Sequence, residues 1–293
     1  MTTLQFSLTN PPLSQRNKGV IIAVVAAILM SFDPIFIRLS GVDGFDTAFL
    51  FGLFSALSIA GVMQFQPQKN IITSVKSAGW PAIISGGLML ISASAMITSI
   101  KHTAVANVFV ILSATPLFAA ITSWLLMGEV TRRSTWLAMI SVGVGIGIVV
   151  AGSFEAGHWL GDGLALLSAA FIGINQAYLR KHQQVSRLTS VGLGSGFMAI
   201  VFFFIVTPSE YSITTWLVMA MMGLCTAPFG RVLSHVATRY ITAPEVGILL
   251  LIEAILAPLF AWFAFTEIPP LNTLIGGLII LITIYIYVLN SNK

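Results

Sequence analysis

The sequence predicts an all-α integral membrane protein with ten transmembrane helices in two inverted five-helix repeats. Three observations predict it: the composition, the number of apolar stretches, and segments that recur about 140 residues apart. Hydrophobic residues make up 57% of the 293-residue chain and charged residues 8%, against roughly 25% charged in soluble domains.

A membrane span needs about 20 apolar residues. Ten stretches qualify, at 19–39, 46–64, 79–100, 103–127, 134–152, 161–180, 188–206, 212–232, 243–265 and 271–290. Connections are short, as in side-by-side antiparallel helices, and the third and fourth spans nearly fuse at Lys101-His102. Pro34, Pro116, Pro228 and Pro258 fall inside spans. Each removes a backbone donor, so a bend is expected there. Residues 1–18 read as a polar tail with Pro11-Pro12, unlike the apolar core of a cleavable signal peptide. Residues 19–152 form the first repeat and 153–293 the second.

The repeat is visible residue by residue. Pro116-Leu-Phe-Ala-Ala-Ile-Thr-Ser-Trp124-Leu-Leu-Met-Gly-Glu129 returns as Glu253-Ala-Ile-Leu-Ala-Pro-Leu-Phe-Ala-Trp262-Phe-Ala-Phe-Thr-Glu267, with Trp and Glu each displaced by 138 positions. Gly19 and Gly161, like Arg38 and Arg180, are 142 apart. Because each half holds an odd number of spans, the second begins on the opposite face and the halves are inverted. Such duplication is a mark of transporters that rock one repeat against the other.

The net charge of +4 is an orientation signal. With the N-terminus inside, 12 of the 14 Lys and Arg fall on the cytoplasmic side, and only Arg38 and Lys101 fall outside. Nucleic-acid binding is not expected, since the basic residues are spread along one membrane face. Both termini are expected in the cytoplasm of a bacterial cell, with the chain in the inner membrane. The lone Cys225 allows no intrachain disulfide and no Cys-rich metal motif. No cofactor is expected.

The Pro116–Glu129 run, its counterpart ending at Glu267, and Gly161-Asp-Gly-Leu-Ala-Leu-Leu-Ser-Ala-Ala170 resemble the drug/metabolite transporter superfamily in its EamA-like branch. The resemblance covers about Gly19 to Asn290. It implies two five-helix halves and a solute site near midplane, contacted by spans one, three, four, six, eight and nine. It also implies transport of amino acids or other small metabolites, by proton coupling or exchange. Two positions depart from the family pattern. Ala48–Phe54 lacks the Arg common early in the second span, and Ala254 stands where Pro commonly follows the ninth-span Glu.

Asp33 is the first candidate site residue, because an acid inside a membrane is costly and functional by default. Pro34 disfavours helical geometry at Asp33 itself. Its repeat mate is Asn175, with Gln176 paired to Pro34. A carboxylate opposite two amides suits an ammonium-bearing solute. The other reading makes Asp33 a cap of a bent helix or a partner of Arg38. Glu253 lies near the middle of the ninth span, where a carboxyl either accepts a coupling proton or hydrogen-bonds a neighbouring helix permanently. Asp33 and Glu253 are therefore the candidate proton-coupling groups. Asn107 and its mate Glu245 open their spans, where each lines a gate or faces solvent. Phe32, Phe36, Phe171 and Tyr178 flank these slots and either cradle an apolar solute or contact core and lipid.

Other polar residues read as structural. Glu129 and Glu267 close their spans at opposite faces, Lys101-His102 occupies an outer turn, and His235 with Arg231 and Arg239 forms a cytoplasmic basic edge. The stripes Gly143/Gly147/Ala151 and Ala169/Gly173/Ala177 let helices approach closely, within the chain or between the copies of a homodimer.

The function predicted is a secondary transporter of small organic solutes in the lipid bilayer, most simply exporting an amino acid or related metabolite by alternating access. Multidrug efflux and uptake are the alternatives. An intramembrane enzyme lacks its motifs: Leu193 and Trp159 stand where protease patterns require Gly. There is no nucleotide-binding loop for an ATP-driven pump, and intramembrane carboxylates in a pseudo-symmetric chain argue against a continuous channel.

Overall fold

The computed structural model describes residues 13–64, 71–128, 133–155, 157–237, 240 and 243–291. Within these residues the chain is helical and contains no strand. In order the helices are α1 (Leu13–Ser31), α2 (Asp33–Leu39), α3 (Gly44–Gln64), α4 (Ile71–Ala78), α5 (Trp80–His102), α6 (Val105–Leu112) and α7 (Thr115–Met127). α8 (Arg133–Glu155) closes the first half, and the second holds α9 (Trp159–Lys181), α10 (Arg187–Phe203), α11 (Ile213–Met221), α12 (Ala227–Ala237), α13 (Ala243–Phe265) and α14 (Leu271–Ser291). Six helical stretches are long and apolar enough to cross a membrane, and shorter apolar stretches within α8, α10, α13 and α14 complete the set of ten. The protein is thus an all-α integral membrane protein.

The prolines set where the spans break. Pro34 separates α1 from α2 at Phe32, and Pro116 follows the break between α6 and α7 at Ser113–Ala114. A proline cannot donate to the carbonyl four residues earlier, and hydroxyls take up two of those carbonyls. Thr115 Oγ1 donates to the Leu112 carbonyl at 2.6 Å, and Ser58 Oγ donates to the Leu224 carbonyl at 3.0 Å, four residues before Pro228. The eighth span passes through a π-helical turn, Met222–Thr226, just before Pro228. Pro258 lies inside α13, which continues through it as one helix. The expected boundary between the third and fourth spans falls at Thr103–Ala104. Helix α4, between the second and third spans, has no counterpart among the predicted elements.

Packing follows the repeat. α5 packs on α9 while α1 packs on α12, α7 packs on α9 while α1 packs on α13, and α3–α10 and α8–α14 pair with each other. Exchanging the halves turns the first contact of each couple into the second and maps the last two onto themselves, which is what a two-fold axis between halves requires. The small-residue stripes behave differently from one another. Gly173 sits where an added Cβ would meet Phe118 Cβ and Ala119 N at 2.7 Å, so the stripe on α9 lets α7 approach. Gly143, Gly147 and Ala151 face outward instead, because α14 approaches α8 through Gly145, where a Cβ would come within 2.6 Å of Ile280.

Candidate functional site

Two cavities lie on opposite sides of α6. The first, about 450 Å³, is lined by residues from α1, α2, α5, α6, α7, α9, α10, α12 and α13. These residues run from mid-span towards the end of the bundle where α1 begins and α14 finishes. The second, about 410 Å³, lies at the far end, where α2 and α5 finish. Asn107 lines the far cavity and Phe109 the first, so less than one turn of α6 divides them.

The first cavity gathers the charged groups of the span interiors. The break at Phe32 makes Asp33 the first residue of α2 and turns its carboxylate inward, 3% exposed. Thr226, the last residue of the π turn, donates to Asp33 Oδ1 at 3.0 Å. Arg231, just over one helical turn further on α12, brings Nη1 to 3.7 Å from Asp33 Oδ2 and lies over the Phe51 ring at 5.5 Å. Glu253 reaches the same cavity from α13, within electrostatic range of both Asp33 and Arg231.

On the opposite wall, Ile172, Asn175, Gln176 and Leu179 occupy one face of α9 at i, i+3, i+4 and i+7 spacing. Asn175 Oδ1 accepts from Ser85 Oγ at 2.6 Å, and its amide nitrogen lies 3.5 Å from Ser190 Oγ. Met30, Met89, Met96, Phe109 and Leu250 supply apolar surface between the polar walls. Two carboxylates thus face one guanidinium among the described lining residues. In a cavity within a membrane that imbalance calls for a proton or a cationic group.

The structure therefore brings together Asp33, Asn175, Gln176 and Glu253. Tyr178 falls beside the lining face of α9 and packs on His182, with ring centroids 4.5 Å apart. Asn107 is at the far end, buried, donating to Thr103 Oγ1 at 3.1 Å and accepting from Thr273 Oγ1. Arg38 pairs with Glu267 at 3.3 Å, leaving Asp33 to Arg231. Arg231 is a correction: a residue read as basic edge belongs to the cavity wall, because the π turn carries α12 inward against α1. Lys101 is likewise tied down, donating to Ser40 Oγ at 2.8 Å. Glu129 and the side chains of Glu245 and His235, like most of the tail at 1–18, lie outside the described residues. Thr226 gave no sequence signal, since a lone hydroxyl in an apolar helix is ordinary.

The model of the EamA-like transporter family matches residues 17–151 and again 159–289. The chain is 27% identical over 262 residues to an uncharacterized transporter from Archaeoglobus fulgidus, covering 88% of this chain and 92% of that one. A solved crystal structure superposes with a TM-score of 0.64 at 17% identity, covering 94% of this chain and 99% of that chain. This last likeness concerns the fold alone.

Proposed function

The chain belongs to the EamA-like transporter family, and on that premise we propose that its larger cavity carries a small zwitterionic solute of the amino-acid class across the membrane. The observation that carries this reading is the grouping of Asp33, Glu253 and Arg231 in one cavity of about 450 Å³. A zwitterion offers the guanidinium a carboxylate and offers the acids an ammonium. Charge-assisted hydrogen bonds of both kinds form, so that each solute charge meets an opposite one. Asn175 and Gln176 add neutral donors and acceptors on the facing wall, and the methionines accept apolar side chains of varied shape.

Alternating access moves the solute: the cavity reaches one end of the bundle, and rocking of the halves about α6 exposes it to the other. Export, driven by proton exchange through Asp33 and Glu253, accounts for the excess acid, because a proton replaces the departing ammonium. The protein is then a multi-pass protein of a bacterial inner membrane with both termini in the cytoplasm.

Counterflow in proteoliposomes tests the reading. Vesicles loaded with a single amino acid should accumulate the labelled form saturably, and one or a few amino acids should compete. Accumulation of hydrophobic cations with no response to any amino acid would replace it with drug efflux.

A further inference from the structure

We propose that the far cavity is a second solute subsite, specific for a carboxylate, and that Glu267 occupies it in this conformation as a built-in substitute. Glu267 Oε1 accepts from the Val105 backbone N–H at 2.6 Å, and Oε2 lies 3.3 Å from Arg38 Nη2. Val105 is the first residue of α6, so the carboxylate sits at the positive end of that helix. A backbone N–H and a guanidinium are the donors that a free carboxylate would use.

The site has donor capacity that Glu267 does not fill. Arg38 Nη2 also donates to the Thr103 carbonyl at 2.8 Å, and its buried Nε makes no hydrogen bond among the described residues. Lys101, on the same wall, spends one hydrogen bond on Ser40. The acid behind the wall is Asp162, whose Oδ1 accepts from Thr103 Oγ1 at 2.7 Å and from Asn107 at 3.4 Å. Asp43 acts on Lys101 from the start of α3, where its carboxylate accepts from the Phe45 and Asp46 N–H groups. Arg38 is therefore faced by Glu267 and Lys101 by Asp43. If Glu267 withdraws, Arg38 and the Val105 N–H lose their carboxylate over a cavity of about 410 Å³, and a solute carboxylate restores both contacts.

The geometry also couples occupancy to opening. Glu267 lies in the loop between α13 and α14, Arg38 on α2 and Val105 on α6, so the carboxylate ties both halves together. A solute carboxylate that takes its place breaks that tie as the solute leaves. This step rests on the transport reading above; the binding of a carboxylate does not.

Benzoate, with benzylamine as the control cation, probes the site in the purified full chain by titration calorimetry. Glu267→Ala should bind benzoate at least tenfold more tightly than the unsubstituted protein, with no gain for benzylamine. Glu267→Gln, which keeps the shape and loses the charge, should show a smaller gain and decides the matter if the alanine variant does not fold. Adding Arg38→Gln should abolish the gain, whereas adding Arg231→Gln should leave it. No gain in either Glu267 variant overturns the proposal. A gain removed by Arg231→Gln and kept with Arg38→Gln also overturns it, by placing the probe in the larger cavity, and leaves the transport reading standing. Loss of amino-acid counterflow specificity with the Arg38-dependent gain intact does the reverse.

Discussion

Thr226 donates a hydroxyl hydrogen bond to Asp33 across the interface between the two halves, at 3.0 Å, from the last residue of a π-helical turn. The π turn inserts an extra residue into the helical register, which swings α12 so that Arg231 faces the same carboxylate. Pro228 explains why the irregularity is tolerated here. It already forbids an α-helical bond to the Leu224 carbonyl, and Ser58 satisfies that group from α3. One break in α1 and one in the eighth span thus meet at Asp33, from opposite repeats.

Removing the Thr226 hydroxyl tests how much this contact matters. Thr226→Val keeps the shape and loses one hydrogen bond to an ionised acceptor, worth about 1.5–3 kcal/mol. The melting temperature should fall accordingly, and solute affinity should fall with it if Asp33 is held in binding geometry by Thr226. Unchanged affinity would mean that the packing of α2 alone positions Asp33.

Glu253→Gln should abolish pH-gradient-driven accumulation in proteoliposomes and leave counterflow at equal pH intact. The carboxyl is the ionisable group that α13 presents to the cavity among the described residues, and exchange of solute for solute needs no net proton movement. Normal gradient-driven accumulation by the variant removes Glu253 from coupling.

Much of this was legible in the chain. The period of about 140 residues fixed the paired halves, and the cost of charge in a bilayer singled out Asp33 and Glu253. Asn175 followed from Asp33 by symmetry, and Gln176, one position on, shares its helix face. Arg231 was not legible, because a cation at a span end serves orientation and a buried ion pair equally well, and no 3.6-residue periodicity reveals a π turn. Asn107 and Tyr178 show the limit of reasoning span by span. Asn107 points into a polar cluster built from Thr103, Asp162 and Thr273, which depends on three other segments. Tyr178 lies one residue off the lining face and finds His182 just past the end of its own helix.

The two glycine stripes should respond oppositely to alanine. Gly173→Ala places a methyl 2.7 Å from Phe118 Cβ and 2.8 Å from the Thr115 carbonyl, an overpacking that costs about 1–3 kcal/mol. Gly143→Ala and Gly147→Ala meet nothing within 4 Å in the chain and should leave the melting temperature unchanged. A fall in dimer content for the latter pair, measured by light scattering in detergent, would assign the outward stripe to self-association.

Orientation is checked with a cysteine at Ser209, in the exposed 3-10 turn Pro208–Glu210, in a Cys225→Ala background. Gly157 is less suitable because its φ of 78° strains any side chain. Labelling of intact cells by an impermeant thiol reagent is the expected result, since the 12-to-2 distribution of Lys and Arg places this loop outside. Labelling only after lysis reverses the orientation.

The pairing of Asp33 with Arg231 separates a structural ion pair from a binding site. Asp33→Asn leaves a guanidinium facing Glu253 alone across the cavity, and breaking a buried pair costs about 3–5 kcal/mol. The single variant should therefore melt early and transport poorly, which by itself distinguishes nothing. Combining Asp33→Asn with Arg231→Met removes both charges and leaves shape nearly intact, so stability should return. If the pair only holds α2 against α12, transport returns with it. On the zwitterion reading both solute charges have lost a partner. The double variant should then be stable and bind an amino acid at least a hundredfold more weakly, the loss expected of two charge-assisted hydrogen bonds at about 1.5–3 kcal/mol each. Melting temperature and counterflow measured on the same three proteins decide between the two, and a stable double variant that transports normally would remove Asp33 and Arg231 from the site.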